Sequence, residues 1–106
     1  MNKKLFEKIV EVVSHFTDVV PKDILSKSRK THIIDARYMI IYVAHRCGMK
    51  WVYIQRYFSL LDHDLHYTTL FHAKNRIEEA MAKDEFVKEM VDQILINFNP
   101  EIILED

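Results

Sequence analysis

Apolar residues return at helical spacing along most of the chain. Leu5, Phe6, Ile9, Val12, Val13 and Phe16 form one stripe, with Lys3, Lys4, Lys8 and Glu11 opposite, which predicts a first amphipathic helix over residues 3–16. The stripe breaks at Asp18-Val19-Val20-Pro21, and Pro21 suits the first turn of a short helix over residues 22–25. Residues 26–32, Ser-Lys-Ser-Arg-Lys-Thr-His, show no apolar period and read as an exposed basic loop. From Ile33 to Cys47 the chain is apolar around most of a helical circumference, as expected of a central, mostly buried helix. Gly48, the only glycine, stands where a left-handed cap would end that helix. Residues 50–58 predict a further helix with Trp51, Ile54 and Phe58 inward, and residues 59–65 connect it to another over 66–82. Asp84-Glu85 supplies a cap and an acidic first turn for a last helix over 85–98, which buries Val87, Met90, Val91 and Ile94.

The helix over 66–82 carries the most pointed pattern. Leu70, Ala73 and Ile77 face inward, while Thr69, His72 and Arg76 share a neighbouring face that meets solvent. Two hydroxyl side chains, Thr68 and Thr69, lie in its first turn. An apolar back and a donor-rich front suit the second helix of a helix-turn-helix, whose N-terminal amides hold a phosphate while the first turn reaches base edges. A plain amphipathic helix with a polar outer face has the same pattern, so periodicity alone leaves both readings open.

Composition narrows the class. At 106 residues and 49% hydrophobic content, the chain suits one domain with a modest core. One glycine and two prolines disfavour a fold with many tight hairpins, so the expectation is an all-α bundle of about six helices over residues 1–98, with an acidic tail over 99–106. The single cysteine, Cys47, cannot form an internal disulfide, and no apolar run approaches a membrane span, so a cytoplasmic location without membrane contact is expected. The net charge of −1 hides a separation: residues 22–56 hold eight Lys and Arg against two Asp, a net of +6, whereas residues 83–106 carry −5.

The order of parts resembles the C-terminal DNA-binding domain of the bacterial replication initiator DnaA over roughly residues 5–96. Asp23-Ile24-Leu25-Ser26-Lys27-x-Arg29 is similar to that family's Asp-Leu-Leu-Ser-Lys-Lys-Arg segment. Arg37 followed by Met39 is similar to its Arg-Gln-Met, and Thr68-Thr69-x-x-His72-Ala73 to its Thr-Thr-Val-Leu-His-Ala. The resemblance implies a Trp-repressor-like helix-turn-helix and binding to double-stranded DNA, nucleoid-associated in that case, in replication or transcription control. It implies Arg29 in the minor groove, Arg37 at a phosphate, and Thr68 and Thr69 in the major groove and on the backbone. Lys27, Lys30, His66, Tyr67, His72 and Arg76 complete the expected contact set. The departures shift the expected target: His66-Tyr67 stands where the family has Asp-His, Tyr38 where it has Gln, and the glycine-free segment 59–65 where it has a short Gly-Gly turn. No Gly-x-x-x-x-Gly-Lys-Ser/Thr occurs, so an ATPase module is missing from the sequence.

The remaining chemistry-bearing residues do not suggest an enzyme. Asp62-His63-Asp64 with His66 and His72 lacks the further ligands on separate helices that a metal-dependent phosphohydrolase needs, so no metal, cofactor or small-molecule substrate is expected. Cys47 lies on the core helix and reads as an inert buried thiol, and Trp51, Tyr53 and Tyr57 as packing. A second reading is a protein-interaction module on the same scaffold that has lost specific DNA reading, motivated by the near-zero net charge and the acidic end. A protein partner or a homodimer belongs to that picture.

Overall fold

The computed structural model describes residues 3–98 and has six helices, with no strand among the described residues. They are α1 (Lys3–Thr17), α2 (Pro21–Ile24), α3 (Thr31–Arg46), α4 (Trp51–Leu60), α5 (Tyr67–Lys83) and α6 (Glu85–Leu95). The expected all-α class is correct. The segment 99–106, expected to be an acidic tail, lies outside the described residues. No helix is long and apolar enough to cross a membrane.

α3 is the axle, packing against all five other helices. Its Ile33, Ala36, Met39, Ile40, Ile41, Tyr42, Val43 and Ala44 are all buried, which is why its sequence shows no clean polar face. α1 adds Phe6, Ile9, Val10 and Val13, α4 adds Ile54 and Phe58, α5 adds Leu70, Ala73 and Ile77, and α6 adds Val91, Ile94 and Leu95. Val87 and Met90, expected inside, are only half-buried and pack against the edge of this core, whereas Val91, Ile94 and Leu95 in the second half of α6 are fully inside it. Asp84 caps α6 by accepting a hydrogen bond from the Phe86 amide at 2.9 Å.

The two long-range bends share one device. After α3, Gly48 takes φ +89°, its amide bonds the His45 carbonyl at 2.9 Å, and the Met49 amide bonds the Ala44 carbonyl at 3.0 Å. This pair of backward bonds is a Schellman motif, which needs a left-handed residue just past the helix. After α4 the same pair recurs, from Asp62 to Ser59 at 3.1 Å and from His63 to Phe58 at 2.9 Å, with Asp62 at φ 62°. The aspartate therefore occupies the backbone conformation that a glycine usually supplies. That turn directs the chain from α4 into α5, the helix-turn-helix pair, and Gln55 ties the two together by donating to the Leu65 carbonyl at 2.8 Å.

Candidate nucleic-acid interface

The candidate surface is built from the segment before α3 and the start of α5. The basic loop is shorter than expected, since α3 begins at Thr31 and takes Thr31 and His32 into its first turn. What remains is held by Arg37. Its Nε donates to the Ile24 carbonyl at 2.9 Å, and one terminal nitrogen donates to the carbonyls of Ser26 at 2.6 Å and Ser28 at 3.2 Å. Arg37 is 6% exposed, the one buried charged side chain among the described residues. This departs from the expected phosphate-facing role: the guanidinium bonds the carbonyl that ends α2 and two carbonyls of the loop, and so fixes the loop to the helix before it. Burial lowers its pKa from the ordinary value, with Tyr38 acting in the opposite direction. Two further bonds tighten the loop locally, with the Ser26 hydroxyl accepting from the Ser28 amide at 3.2 Å and the Ser28 hydroxyl from the Lys30 amide at 3.3 Å. Lys27, Arg29 and Lys30 are left projecting into solvent.

Across from the loop stands the N-terminus of α5. His66 precedes the helix as its cap, with Nδ1 2.9 Å from the Thr68 hydroxyl and 3.4 Å from the Thr68 amide. With Nδ1 accepting, the neutral ring carries its proton on Nε2, which remains a donor. Thr69 is half-buried and faces the loop, whereas Tyr67 and Thr68 are exposed. Lys27, Arg29, Arg37, His63, His66 and Thr69 all line one open cleft of about 410 Å³ between the two elements. His72 and Arg76 lie further along α5. The His72 ring meets the Tyr38 edge with centroids 5.7 Å apart, and Arg76 approaches Asp35 of α3 at 3.9 Å. Lys27, Arg29, His66 and Thr69 are thus gathered at one cleft, while His72 and Arg76 lie on the outer run of the same helix.

His63, in the segment expected to connect the two helices, is partly buried and lines this cleft. Its ring stands edge-on to Phe58 with centroids 5.9 Å apart, and its Nδ1 is buried without a hydrogen-bond partner. Burial, then the Arg37 charge, hold its pKa below the ordinary 6.5, against hydrogen bonding to the Ser26 and Leu25 backbone that raises it, with Lys27 lowering it further. The apolar pattern carries no signal for this, because the turn that seats His63 three residues past the end of α4 depends on Asp62 taking a left-handed backbone. His45 is likewise held low by burial, with Lys74 and Arg46 acting in the same direction and Glu78 against. Both imidazoles are therefore neutral in the folded state at neutral pH. The unfolded chain begins to protonate them near pH 6.5, so stability is full above that value and falls as the pH drops below it. Thermal melts between about pH 8 and about pH 5 should show this decline. His63→Leu should flatten part of it, and an unchanged slope would place the titration elsewhere.

Burial pushes the Cys47 thiol up, away from the reactive thiolate. Among the described residues no three His, Cys, Asp or Glu side chains gather to hold a metal ion. Tyr57 packs on Phe6 at 5.3 Å and Trp51 stacks on His45 at 4.1 Å, but Tyr53 is exposed, with the Arg56 guanidinium over its ring at 5.4 Å, which corrects its reading as packing.

Comparison with known proteins adds an independent line. Residues 6–77 match the family model described as bacterial dnaA protein helix-turn-helix. The chromosomal replication initiator protein DnaA of Campylobacter curvus is 35% identical over 94 residues, covering 84% of this chain and 21% of the relative. The protein of the same name from Campylobacter concisus is 35% identical over 89 residues, 83% of this chain and 20% of its own length. The chain thus spans about a fifth of the curated relatives it matches. No solved structure gives a significant match.

Proposed function

The chain belongs to the family of bacterial DnaA helix-turn-helix domains, and from that premise we propose that it reads duplex DNA sequence-selectively, in control of replication or transcription. The observation that carries this reading is the shared cleft, in which a cationic loop locked by buried Arg37 faces the donor-rich N-terminus of α5. α5 enters the major groove with Thr68 and Thr69 leading, a hydroxyl on each for a phosphate oxygen or base edge and a methyl for a thymine methyl. Arg29, at the loop tip, enters the adjacent minor groove, where a narrow, negative channel favours a guanidinium. Lys27, Lys30 and the Nε2–H of His66 contact phosphates and fix register. His72 and Arg76 extend the contact along α5. Arg37 acts through the loop it holds. The names of the Campylobacter relatives point to replication initiation, and a role there is part of the proposal.

The test is selection from a randomised duplex pool, followed by fluorescence anisotropy on the retained sequence. With about four phosphates contacted, affinity should fall by roughly a hundredfold between about 50 mM and about 200 mM salt, because each contact releases a counterion. Arg29→Ala should weaken binding by about tenfold or more and relax preference at the positions beside the major-groove site. Retention of no duplex at low salt, or Arg29→Ala and Thr69→Ala both binding as wild type, would reject the reading.

A further inference from the structure

Beside the two threonines, α5 exposes side chains that neither the core nor the cleft uses. Phe71 is 41% exposed and Tyr67 46%, one helical turn apart, although large aromatic rings are normally withdrawn from water. They are not loose. Tyr67 and Phe71 meet edge to face with centroids 5.1 Å apart, and Phe71 leans on Trp51 at the start of α4, again at 5.1 Å. Trp51 is itself stacked on His45 at 4.1 Å and nearly parallel to it. The Phe71 ring is therefore held in place from two sides while its remaining surface faces outward. It lies within the second turn of α5, flanking Thr68 on the side away from the basic loop, so Thr69 and Phe71 bracket the exposed threonine.

We infer that Phe71 is a base-reading side chain whose fixed apolar surface selects the C5-methyl group of thymine in the major groove. The inference rests on the duplex reading proposed above. Of the features that distinguish bases in that groove, the thymine methyl is the one apolar group, and phenylalanine is among the side chains suited to it. A rigid ring loses little conformational freedom on contact, so more of the apolar gain appears as affinity. A groove that takes in Thr68 and Thr69 also covers the ring between them and α4, which favours DNA over a protein as its partner.

The experiment compares the duplex enriched from the randomised pool with the same duplex made with deoxyuridine in place of thymidine, which removes only the methyl groups. Wild-type protein should bind the uracil duplex about fourfold more weakly for each methyl the ring covers. Phe71→Ala should lose that share of the preference and bind the two duplexes more nearly alike, while Phe71→Leu, which keeps an apolar surface, should retain much of it. Because the ring is largely outside the core, both variants should fold as wild type, which circular dichroism checks. Clear binding with the full thymine preference intact in Phe71→Ala would overturn the inference, leave the duplex reading standing, and turn the search for the ring's partner to proteins. Equal binding of both duplexes by wild type would overturn it as well. Failure of wild-type protein to bind any duplex would remove the reading and the inference together.

Discussion

Arg37→Ala should cost about 2–4 kcal/mol of stability and at the same time weaken DNA binding by at least about tenfold. The side chain joins the two effects because it is buried while its partners lie at the end of α2 and in the loop. It donates three hydrogen bonds to backbone carbonyls of Ile24, Ser26 and Ser28, and hydrogen bonds from a charged group are stronger than neutral ones. Truncation strands those carbonyls, opens a gap beside Tyr38, and frees the segment that presents Lys27, Arg29 and Lys30. Arg37→Lys should recover little of either loss, since one ammonium cannot span the carbonyls that a planar guanidinium bridges. Chemical denaturation and anisotropy on the same preparations decide the matter. A variant that keeps its stability but loses binding would instead make Arg37 a direct contact to DNA.

Phe58→Ala should be the most damaging of the core truncations near the interface, by about 3–5 kcal/mol, equivalent to at least about 12 °C in melting temperature for a domain of this size. Phe58 is fully buried at the end of α4, edge-on to Phe6 with centroids 5.4 Å apart and against His63. Its carbonyl also accepts the His63 amide that closes the turn into α5. Removing the ring leaves a cavity under the joint of the helix-turn-helix, where α1 and the turn both lean on it, so little surrounding structure can collapse into the space. Phe58→Leu keeps most of the volume and should cost less than about 2 kcal/mol. A thermal melt of Phe58→Ala within a few degrees of wild type would show that the joint is held by its backbone bonds alone.

The scaffold was largely legible from apolar spacing, because burial against α3 leaves a stripe on each helix that packs on it. Boundaries moved where no side chain carries the signal. Thr31 and His32 are helical through amides of the next residues bonding the Lys30 carbonyl, which leaves no mark in the apolar pattern. The burial of Arg37 was legible: Ile33, Arg37, Ile40 and Ala44 share one helical stripe, and an arginine on a buried stripe must bond something inside. Asp62 gave no warning, because its left-handed backbone answers the geometry of the turn and not a glycine in the sequence. The aromatic shelf of Tyr67 and Phe71 depends on where α4 crosses α5, a tertiary fact that spacing along one helix does not contain.

The contact between Trp51 and its neighbours has a spectroscopic consequence. The chain has a single tryptophan, so its indole emission arises from one place, between His45 on α3 and Phe71 on α5. A stacked imidazole quenches an indole more strongly once it is protonated, and a groove closing over Phe71 changes the polarity on the other side. The protein therefore carries an unlabelled optical reporter, sensitive on one side to the charge of a single histidine and on the other to whatever occupies the exposed face of α5.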